Sequence, residues 1–256
     1  MSINSLWEIK KNSISAWRFE LKYRINYMQY HKLKIALMPY MDKDDYTSAA
    51  KHNRYLVRSL YYDTYDYNLY YQKMSGNNER VKFRLRTYSK DFDEDVLIRA
   101  EMKVRLANAM IKYGVFVSAA DYGYFMQRQH WPDYNCQILN EFELNLHQKA
   151  LNPKVLTDYQ REGFEDRAKE GIRVTFDHKV RSAHSDNLFP GNKIFFREHH
   201  PGGIVFEIKC RHNQPYWLHN LIRDYGLKLA ANSKFAQGIQ TARQDLYYPN
   251  GVIVVR

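Results

Sequence analysis

Rows of arginine and lysine alternate with apolar residues along several segments of this chain, and this pattern constrains the fold more than any other feature. The alternation is clearest at 16–25 and 80–88 and returns at 96–105, 172–177 and 206–211. Successive side chains of a β-strand point to opposite faces of the sheet, so a period of two is typical of a strand. Each segment is therefore predicted to be a strand with one apolar and one charged face.

The charged faces carry more cations than a solvent-facing strand usually does. Arg80, Lys82, Arg84 and Arg86 share one face of a single segment. Like charges in a row repel each other unless an anion lies between them. A solvated face is the alternative for any one strand, but five such strands favour a surface that binds a polyanion.

The remaining segments indicate an antiparallel all-β core with flanking helices, an α+β arrangement. Further strands are predicted at 55–63 and 153–165, which gives about seven in all. The predicted helices, which would pack outside the sheet, are 27–40, 65–74, 139–151, 215–225 and 233–246. If the strands close into a barrel with the charged faces inward, the lumen is a cationic tunnel. No repeat or linker divides the chain, so one domain over 1–256 is expected.

Composition limits the classes of binding partner that we expect. Lys and Arg total 39 against 28 Asp and Glu, a net charge of +11, which favours phosphate, nucleic acid or a membrane surface. The 22 Tyr and 13 Phe could stack on bases, but most lie on apolar strand faces, so no nucleic acid is expected. Only Cys136 and Cys210 occur, and no apolar run is long enough to span a membrane, so we expect a cytoplasmic protein.

The charged faces suit a chain of phosphates, because guanidinium groups bind phosphate through charge-assisted hydrogen bonds and lysines supply point charge. Glu20, Glu101 and Glu207 lie among the cations, where hard oxygen ligands could hold Mg²⁺ or Mn²⁺. Simple ion pairing with neighbouring Arg and Lys is the alternative for each. Asp63 and Asp177 are predicted to end strands and fix turns.

Ordered segments of the chain resemble a known family. They are RFELKY at 18–23, VRSLYYDT at 57–64, RVKFRLRTY at 80–88, EMK at 101–103, IRVTFD at 172–177, FEIK at 206–209 and SKF at 233–235. In this order they resemble the VTC domain, the polyphosphate polymerase module of the vacuolar transporter chaperone complex. That domain belongs to the triphosphate tunnel metalloenzyme, or CYTH-like, superfamily. The resemblance runs from about residue 17 to residue 238.

The resemblance implies an eight-stranded antiparallel β-barrel tunnel that binds ATP and Mn²⁺ or Mg²⁺ and moves the γ-phosphate onto polyphosphate or pyrophosphate. It implies catalytic roles for Arg84, Arg86, Arg173 and Lys234, with Glu207 as the main metal ligand. The residues expected to bind phosphate are Lys22, Lys82, Lys103, Lys112, Arg161 and Lys209.

Three functions stay open at this point. Beside the polymerase, water could replace the phosphate acceptor, which would give a tripolyphosphatase or nucleoside triphosphatase. A module that binds polyphosphate or inositol phosphate without catalysis needs the cations but not the metal. The fungal polymerases join this domain to a phosphate-sensing SPX domain and a membrane segment, and this sequence shows neither. We therefore expect channelling and this regulation to be either absent or supplied by another chain, such as a membrane-protein partner.

Overall fold

The computed structural model describes residues 19–106, 109–132, 135–192, 194–210 and 214–243. Within them lie ten strands and seven helices. The strands are β1 (Phe19–Ile25), β2 (Met41–Lys43), β3 (Tyr55–Asp63), β4 (Glu79–Thr87), β5 (Ile98–Leu106), β6 (Ala109–Val117), β7 (Asn152–Asp166), β8 (Arg173–His184), β9 (Arg197–Glu198) and β10 (Ile204–Cys210). The helices are α1 (Tyr27–Leu37), α2 (Asp45–Ala49), α3 (Asn68–Met74), α4 (Ala119–Arg128), α5 (Gln137–Gln148), α6 (Tyr216–Asp224) and α7 (Lys234–Ala242).

The alternating segments form strands as predicted, and each predicted helix corresponds to an observed one. The sequence prediction missed the strands β2, β6 and β9 and the helices α2 and α4. Of these, β6 carries a single cation, Lys112, and is interrupted by Gly114, so it lacks the charged row by which its neighbours were recognised. Residues 16–18 and 211, which the prediction included in two strands, lie outside the described residues.

The chain forms two compact units, and the first comprises residues 58–156 and 184–195. In this unit β3, β4, β5 and β6 are neighbours in that order, and every pair is antiparallel. Their apolar faces pack against helices. Phe83 of β4 lies 5.6 Å, ring centre to ring centre, from Phe142 of α5, and both are fully buried. Burying one face in this way leaves the charged face of the same strands on the opposite side.

The second unit comprises residues 19–57, 157–183 and 196–243 of those described. Here β1, β10, β8 and β7 are neighbours in that order. Helix α1 covers the apolar face, where Leu33 and Leu37 pack in a core with Phe176 and Phe206. The helix begins with a capping box, in which Asn26 accepts a hydrogen bond from the Gln29 backbone N–H and the Gln29 side chain accepts from that of Asn26.

The antiparallel sheet with flanking helices is confirmed, but a closed barrel is not shown. In the described residues β1 and β6 end the strand order and do not pair with each other. The outer edge of β1 is instead used by the chain before α7, where Ala230 donates a backbone hydrogen bond to the Lys22 carbonyl and Leu229 bridges Tyr23. The prediction of one domain over 1–256 stays a prediction.

None of the helices in the described part of the chain has both the length and the apolar character needed to cross a bilayer.

Candidate functional site

Strand pairing places the cations of the first unit on one face of the sheet. Lys82, Lys103 and Lys112 are direct neighbours across β4, β5 and β6. Two residues away from the lysines on β4 and β5, Arg84 is directly paired with Glu101. Because directly paired residues of an antiparallel sheet point to the same side, the period of two in each strand produces a continuous cationic face.

Glu101 is the centre of this face. Its side chain is 1% exposed, and the Arg84 Nε lies 2.5 Å from Oε2. Arg86 Nε lies 3.8 Å from the same oxygen, while Arg99 Nε lies 3.5 Å from Oε1, which also contacts the Lys112 ammonium. One carboxylate thus orders four cations. Four cations around one carboxylate leave the cluster with an excess of positive charge.

The protonation properties of the cluster follow from this geometry. Burial alone would raise the pKa of Glu101, but Arg84, Arg86 and Lys112 hold it well below its ordinary value. Burial and the nearby charge of Arg84 lower the pKa of Lys112 to about 7, although Glu101 acts in the opposite direction. Glu101 is therefore ionised at neutral pH, and Lys112 is the cation of this cluster that gains or loses a proton near neutrality.

Two further contacts fix the guanidinium groups. Arg84 donates to the Tyr61 hydroxyl at 3.1 Å, and Arg86 donates from Nε to the Ser59 hydroxyl at 3.1 Å. Both partners lie on β3 at positions directly paired with these arginines. The arginines are thus held in place before any ligand binds, which reduces the entropy lost on binding.

Gly114 makes room for this arrangement from β6, where it is paired with Glu101. A Cβ at this position would lie 2.9 Å from Arg99 Nε, 3.1 Å from Glu101 Cγ and 3.3 Å from the Ala100 carbonyl oxygen. These distances are shorter than normal contacts, so glycine allows both side chains to cross over the neighbouring strand.

The second unit also carries a charged face built by strand pairing. Lys22 of β1 pairs with Glu207 of β10, and Glu20 pairs with Lys209. Glu207 lies 3.0 Å from Lys209 Nζ and 3.8 Å from Lys22 Nζ, and Lys22 also lies 2.8 Å from Glu20. The side chain of Glu207 is buried, so the pKa of this carboxyl would be raised, but Lys209 and Lys22 lower it well below its ordinary value. Burial disfavours charged Lys22, yet Glu207 and Glu20 raise its pKa overall.

Asp177 was assigned by the sequence to a turn, and this assignment is wrong. It lies inside β8 and is fully buried. Arg161 donates to both carboxylate oxygens, from Nε at 2.6 Å and from Nη2 at 2.9 Å, and Lys234 Nζ lies 2.5 Å from Oδ2. Burial would raise the pKa of Asp177, but Arg161 and Lys234 lower it to about 2. Its alternation with Thr175 and Arg173 on the charged face of β8 was the signal that could have identified it.

Asp63 does fix a turn, as predicted. It ends β3, and its carboxylate accepts hydrogen bonds from the backbone N–H groups of Thr64, Leu69 and Tyr70. The carboxylate therefore connects the end of β3 to the first residues of α3.

Arg173 differs from the other predicted site residues because its main partner lies off the sheet face. Its Nη2 donates to Asp44 Oδ2 at 2.7 Å, and Asp44 also caps α2 by accepting from the Thr47 backbone N–H. This interaction gives Arg173 a structural role, and its catalytic role stays a prediction.

A divalent metal fits the second unit only with help from a substrate. No group of three or more His, Cys, Asp or Glu side chains arranged to hold a metal ion occurs in the described ranges. Mg²⁺ is often held by one or two carboxylates together with phosphate and water oxygens. Glu207 and Glu20 are the carboxylates of this face that could supply such ligands, and they lie 3.8 and 2.8 Å from Lys22 Nζ. Glu101 fits less well, because four cations lie within 4 Å of its two oxygens, whereas the ion pairs of Glu207 are with Lys22 and Lys209 at 3.8 and 3.0 Å.

Comparison with known proteins identifies the family. The model of the VTC domain matches residues 17–243, which is most of the chain. This protein belongs to the VTC domain family. No curated protein sequence matches it at a significant level.

One solved structure shows the same fold at low sequence identity. A proposed adenylate cyclase from Bacillus halodurans is 10% identical, with a TM-score of 0.52 over 85% of this chain and 94% of that one. A proposed adenylate cyclase from Vibrio parahaemolyticus is 12% identical, with a TM-score of 0.44 over 88% and 98% of the two chains. The first shares the fold, and the second is too distant to add to this. VTC family membership, together with the two cationic faces, supports a function in handling phosphoryl compounds.

Proposed function

We propose that this protein is a metal-dependent phosphotransferase that moves the γ-phosphate of ATP onto a polyphosphate chain. The observation that carries the proposal is the ordered excess of cations on each charged face, gathered around Glu101 in one unit and around Glu207 and Asp177 in the other. Transfer of a phosphoryl group needs mainly positioning and charge neutralisation. Both are available from arginines and lysines that are already held in place.

No protein nucleophile is needed for this reaction. A terminal oxygen of the acceptor forms the new bond to the γ-phosphorus, the bond from that phosphorus to the β,γ-bridging oxygen breaks, and ADP leaves with the electron pair. A divalent metal, when bound, would neutralise charge on the phosphate oxygens, and Glu207 and Glu20 would hold it. Lys22 and Lys209 lie beside these carboxylates and would bind phosphate oxygens.

The cations of the first unit have a defined part in the proposal. Arg84 and Arg86 would neutralise charge on phosphoryl oxygens, and Lys82, Lys103 and Lys112 would bind further phosphates along the face. Glu101 would position these side chains instead of binding the metal, because four cations lie within 4 Å of its oxygens. Arg161 and Lys234, which share Asp177, would bind phosphate in the second unit.

The reaction is tested by incubating the purified protein with ATP and Mn²⁺ and sizing the products on a gel. We expect chains that an exopolyphosphatase digests. Glu207→Gln should abolish their formation while binding of preformed polyphosphate is retained. Lys51→Gln, which removes one exposed charge outside both faces, is the matched control and should keep activity. Accumulation of only ADP and phosphate would reject the transferase and favour a triphosphatase.

Binding without catalysis is the second candidate, and one observation favours it. The described residues include no group of three potential metal ligands, so the metal would depend on the substrate for part of its coordination. A binding module predicts tight polyphosphate binding with neither polymer nor ADP formed from ATP. It also predicts that Glu207→Gln and wild-type protein bind polyphosphate alike in the presence and absence of Mn²⁺.

A further inference from the structure

The outer face of α1 is apolar and cationic, which is unusual for a helix packed on a sheet. Its inner face is used by the core, through Leu33 and Leu37. On the outside, Met28, Ile35 and Met38 at its C-cap are 66, 68 and 62% exposed. Spacings of three and four residues place them on one stripe with His31 and Lys32. The α1 stripe is defined as Met28, His31, Lys32, Ile35 and Met38.

Another helix of the same chain shows the ordinary pattern. In α5 the exposed positions are Gln137, Asn140, His147 and Gln148, all polar, while Leu139 and Phe142 are buried. Single exposed apolar residues need no explanation, but three on one helix face, with His31 and Lys32 between them, form a mixed apolar and basic surface. The α1 stripe therefore has the composition of a surface that is covered by a partner.

Charge identifies the kind of partner. Helix α1 contains no acidic residue, and both polar members of the stripe are basic. Asp42, an exposed carboxylate of the following strand, is already paired with Arg167 at 2.8 Å. In a dimer formed through this stripe, both contacting surfaces would carry Lys32 and neither would supply an acidic partner, which is unfavourable. An anionic surface with an apolar interior complements both properties of the stripe.

We propose that the α1 stripe binds the surface of a bilayer that contains anionic phospholipid. Apolar side chains of an interfacial helix enter the boundary between head groups and acyl chains, and flanking basic side chains interact with lipid phosphates. Tyr27, the first residue of the helix, is 46% exposed. Tyrosine prefers this boundary because one end of its side chain is apolar and the other polar. The bilayer is thus contacted by a surface separate from the charged sheet faces.

The test is co-sedimentation of the full chain with vesicles of phosphatidylcholine, with and without phosphatidylglycerol. Excess tripolyphosphate occupies the cationic sheet faces, so that they do not bind lipid phosphate. We expect binding only to the vesicles that contain phosphatidylglycerol. The triple variant Met28→Ser, Ile35→Ser, Met38→Ser, which changes no charge, should weaken binding roughly tenfold or more because the apolar contact is lost.

A matched control removes three exposed apolar side chains from other places. Tyr65, Leu97 and Leu229 are 87, 58 and 68% exposed, and their replacement by serine should change binding by less than about twofold. Circular dichroism checks that each variant is folded. If the triple variant is unfolded, Ile35→Ser alone should weaken binding in the same direction.

Three outcomes would overturn the proposal. The first is that wild-type protein does not bind the anionic vesicles, and the second is that the variants in the α1 stripe bind them as wild-type does. The third is that wild-type protein is a dimer by light scattering and the triple variant is a monomer, since a second copy would then cover the stripe. None of these measurements depends on phosphotransferase activity, so the outcome is separate from that of the proposed function.

Discussion

The pKa of Lys112 lies well below that of an ordinary lysine because of its surroundings. Lys112 contacts Glu101, but burial and Arg84 lower its pKa from the ordinary 10.5 to about 7. A phosphate placed beside it would favour the protonated form and raise that pKa again. Binding of a polyanion above about pH 7 is therefore expected to take up a proton at Lys112.

This coupling predicts how affinity depends on pH. Affinity for tripolyphosphate should fall as pH rises from about 7 toward 10, by less than about tenfold per pH unit, since at most one proton is involved. Lys112→Arg stays charged and should remove this part of the pH dependence. Titration calorimetry in two buffers of different ionisation enthalpy measures the proton uptake. Equal uptake by wild-type protein and Lys112→Arg would show that another group is responsible.

Glu101 offers a second prediction at the scale of a residue. In Glu101→Gln, the cations Arg84, Arg86 and Lys112 lose a shared counter-charge, and removing one partner of a buried ion pair costs roughly 3 kcal/mol. The midpoint of thermal unfolding should fall by several degrees. Tripolyphosphate should raise it more than it does for wild-type protein, because the bound anion replaces the missing charge.

The matched control is Glu165→Gln. Glu165 is 62% exposed and lies 3.9 Å from Arg173, so this change should alter stability by less than about 1 kcal/mol. Differential scanning fluorimetry with and without tripolyphosphate measures all three proteins. An unchanged midpoint for Glu101→Gln would contradict the central role given to this carboxylate.

At the scale of the element, β6 contributes mainly by leaving space at Gly114 for the side chains of Arg99 and Glu101. Gly114→Ala would place Cβ 3.1 Å from Glu101 Cγ and 3.3 Å from a backbone oxygen of β5. We expect a loss of roughly 1–3 kcal/mol in the free energy of unfolding, together with weaker tripolyphosphate binding. Gly123→Ala in α4 has nothing within 4 Å and should be neutral or slightly stabilising. Urea unfolding and calorimetry compare the two variants, and equal behaviour of both would refute the spatial requirement at Gly114.

At the scale of the whole molecule, buried carboxylates limit stability in acid. Glu162 accepts hydrogen bonds from Tyr30 at 2.7 Å and from Lys34 at 2.5 Å, and it lies behind the sheet, under α1. Burial would raise its pKa, but hydrogen bonds from His178, Lys34 and Tyr30 lower it to about 2. A carboxyl whose pKa is lower in the folded state stabilises the fold above its unfolded pKa.

Stability should consequently be lost as pH falls from about 4.5 toward 2, the interval between the ordinary and the folded pKa of Glu162. Its contribution is roughly 3 kcal/mol at neutral pH, and Asp177 contributes over a similar interval from 3.8 to about 2. Urea unfolding measured from pH 7 to pH 2 should show a plateau and then a decline. Glu162→Gln should be less stable at pH 7 and show a shallower decline, and a parallel curve for the variant would contradict this.

The sequence alone determined the longer strands other than β6, their charged faces and the family, because the period of two and the spacing of RVKFRLRTY, EMK and FEIK are local properties of the chain. It also placed Lys209 on the same strand face as Glu207, since the two lie two residues apart in one alternating segment. It could not place Asp177, whose partners Arg161 and Lys234 lie 16 and 57 residues away. Those contacts depend on the pairing of β7 with β8 and on the position of α7.

Only the tertiary structure decided which carboxylate orders which cations and whether the sheet closes. Glu101 meets Arg84 and Lys112 because the register of β4, β5 and β6 aligns them, and register is set by burial of the opposite face together with the length of the connections. At the edge of β1, Leu229 forms a β-bridge with Tyr23 and β6 does not pair there. Contacts between distant segments also decide which backbone lies at this edge. Alternation along a strand fixes which side a residue faces, whereas its neighbours on that side are chosen by contacts between segments far apart in the chain.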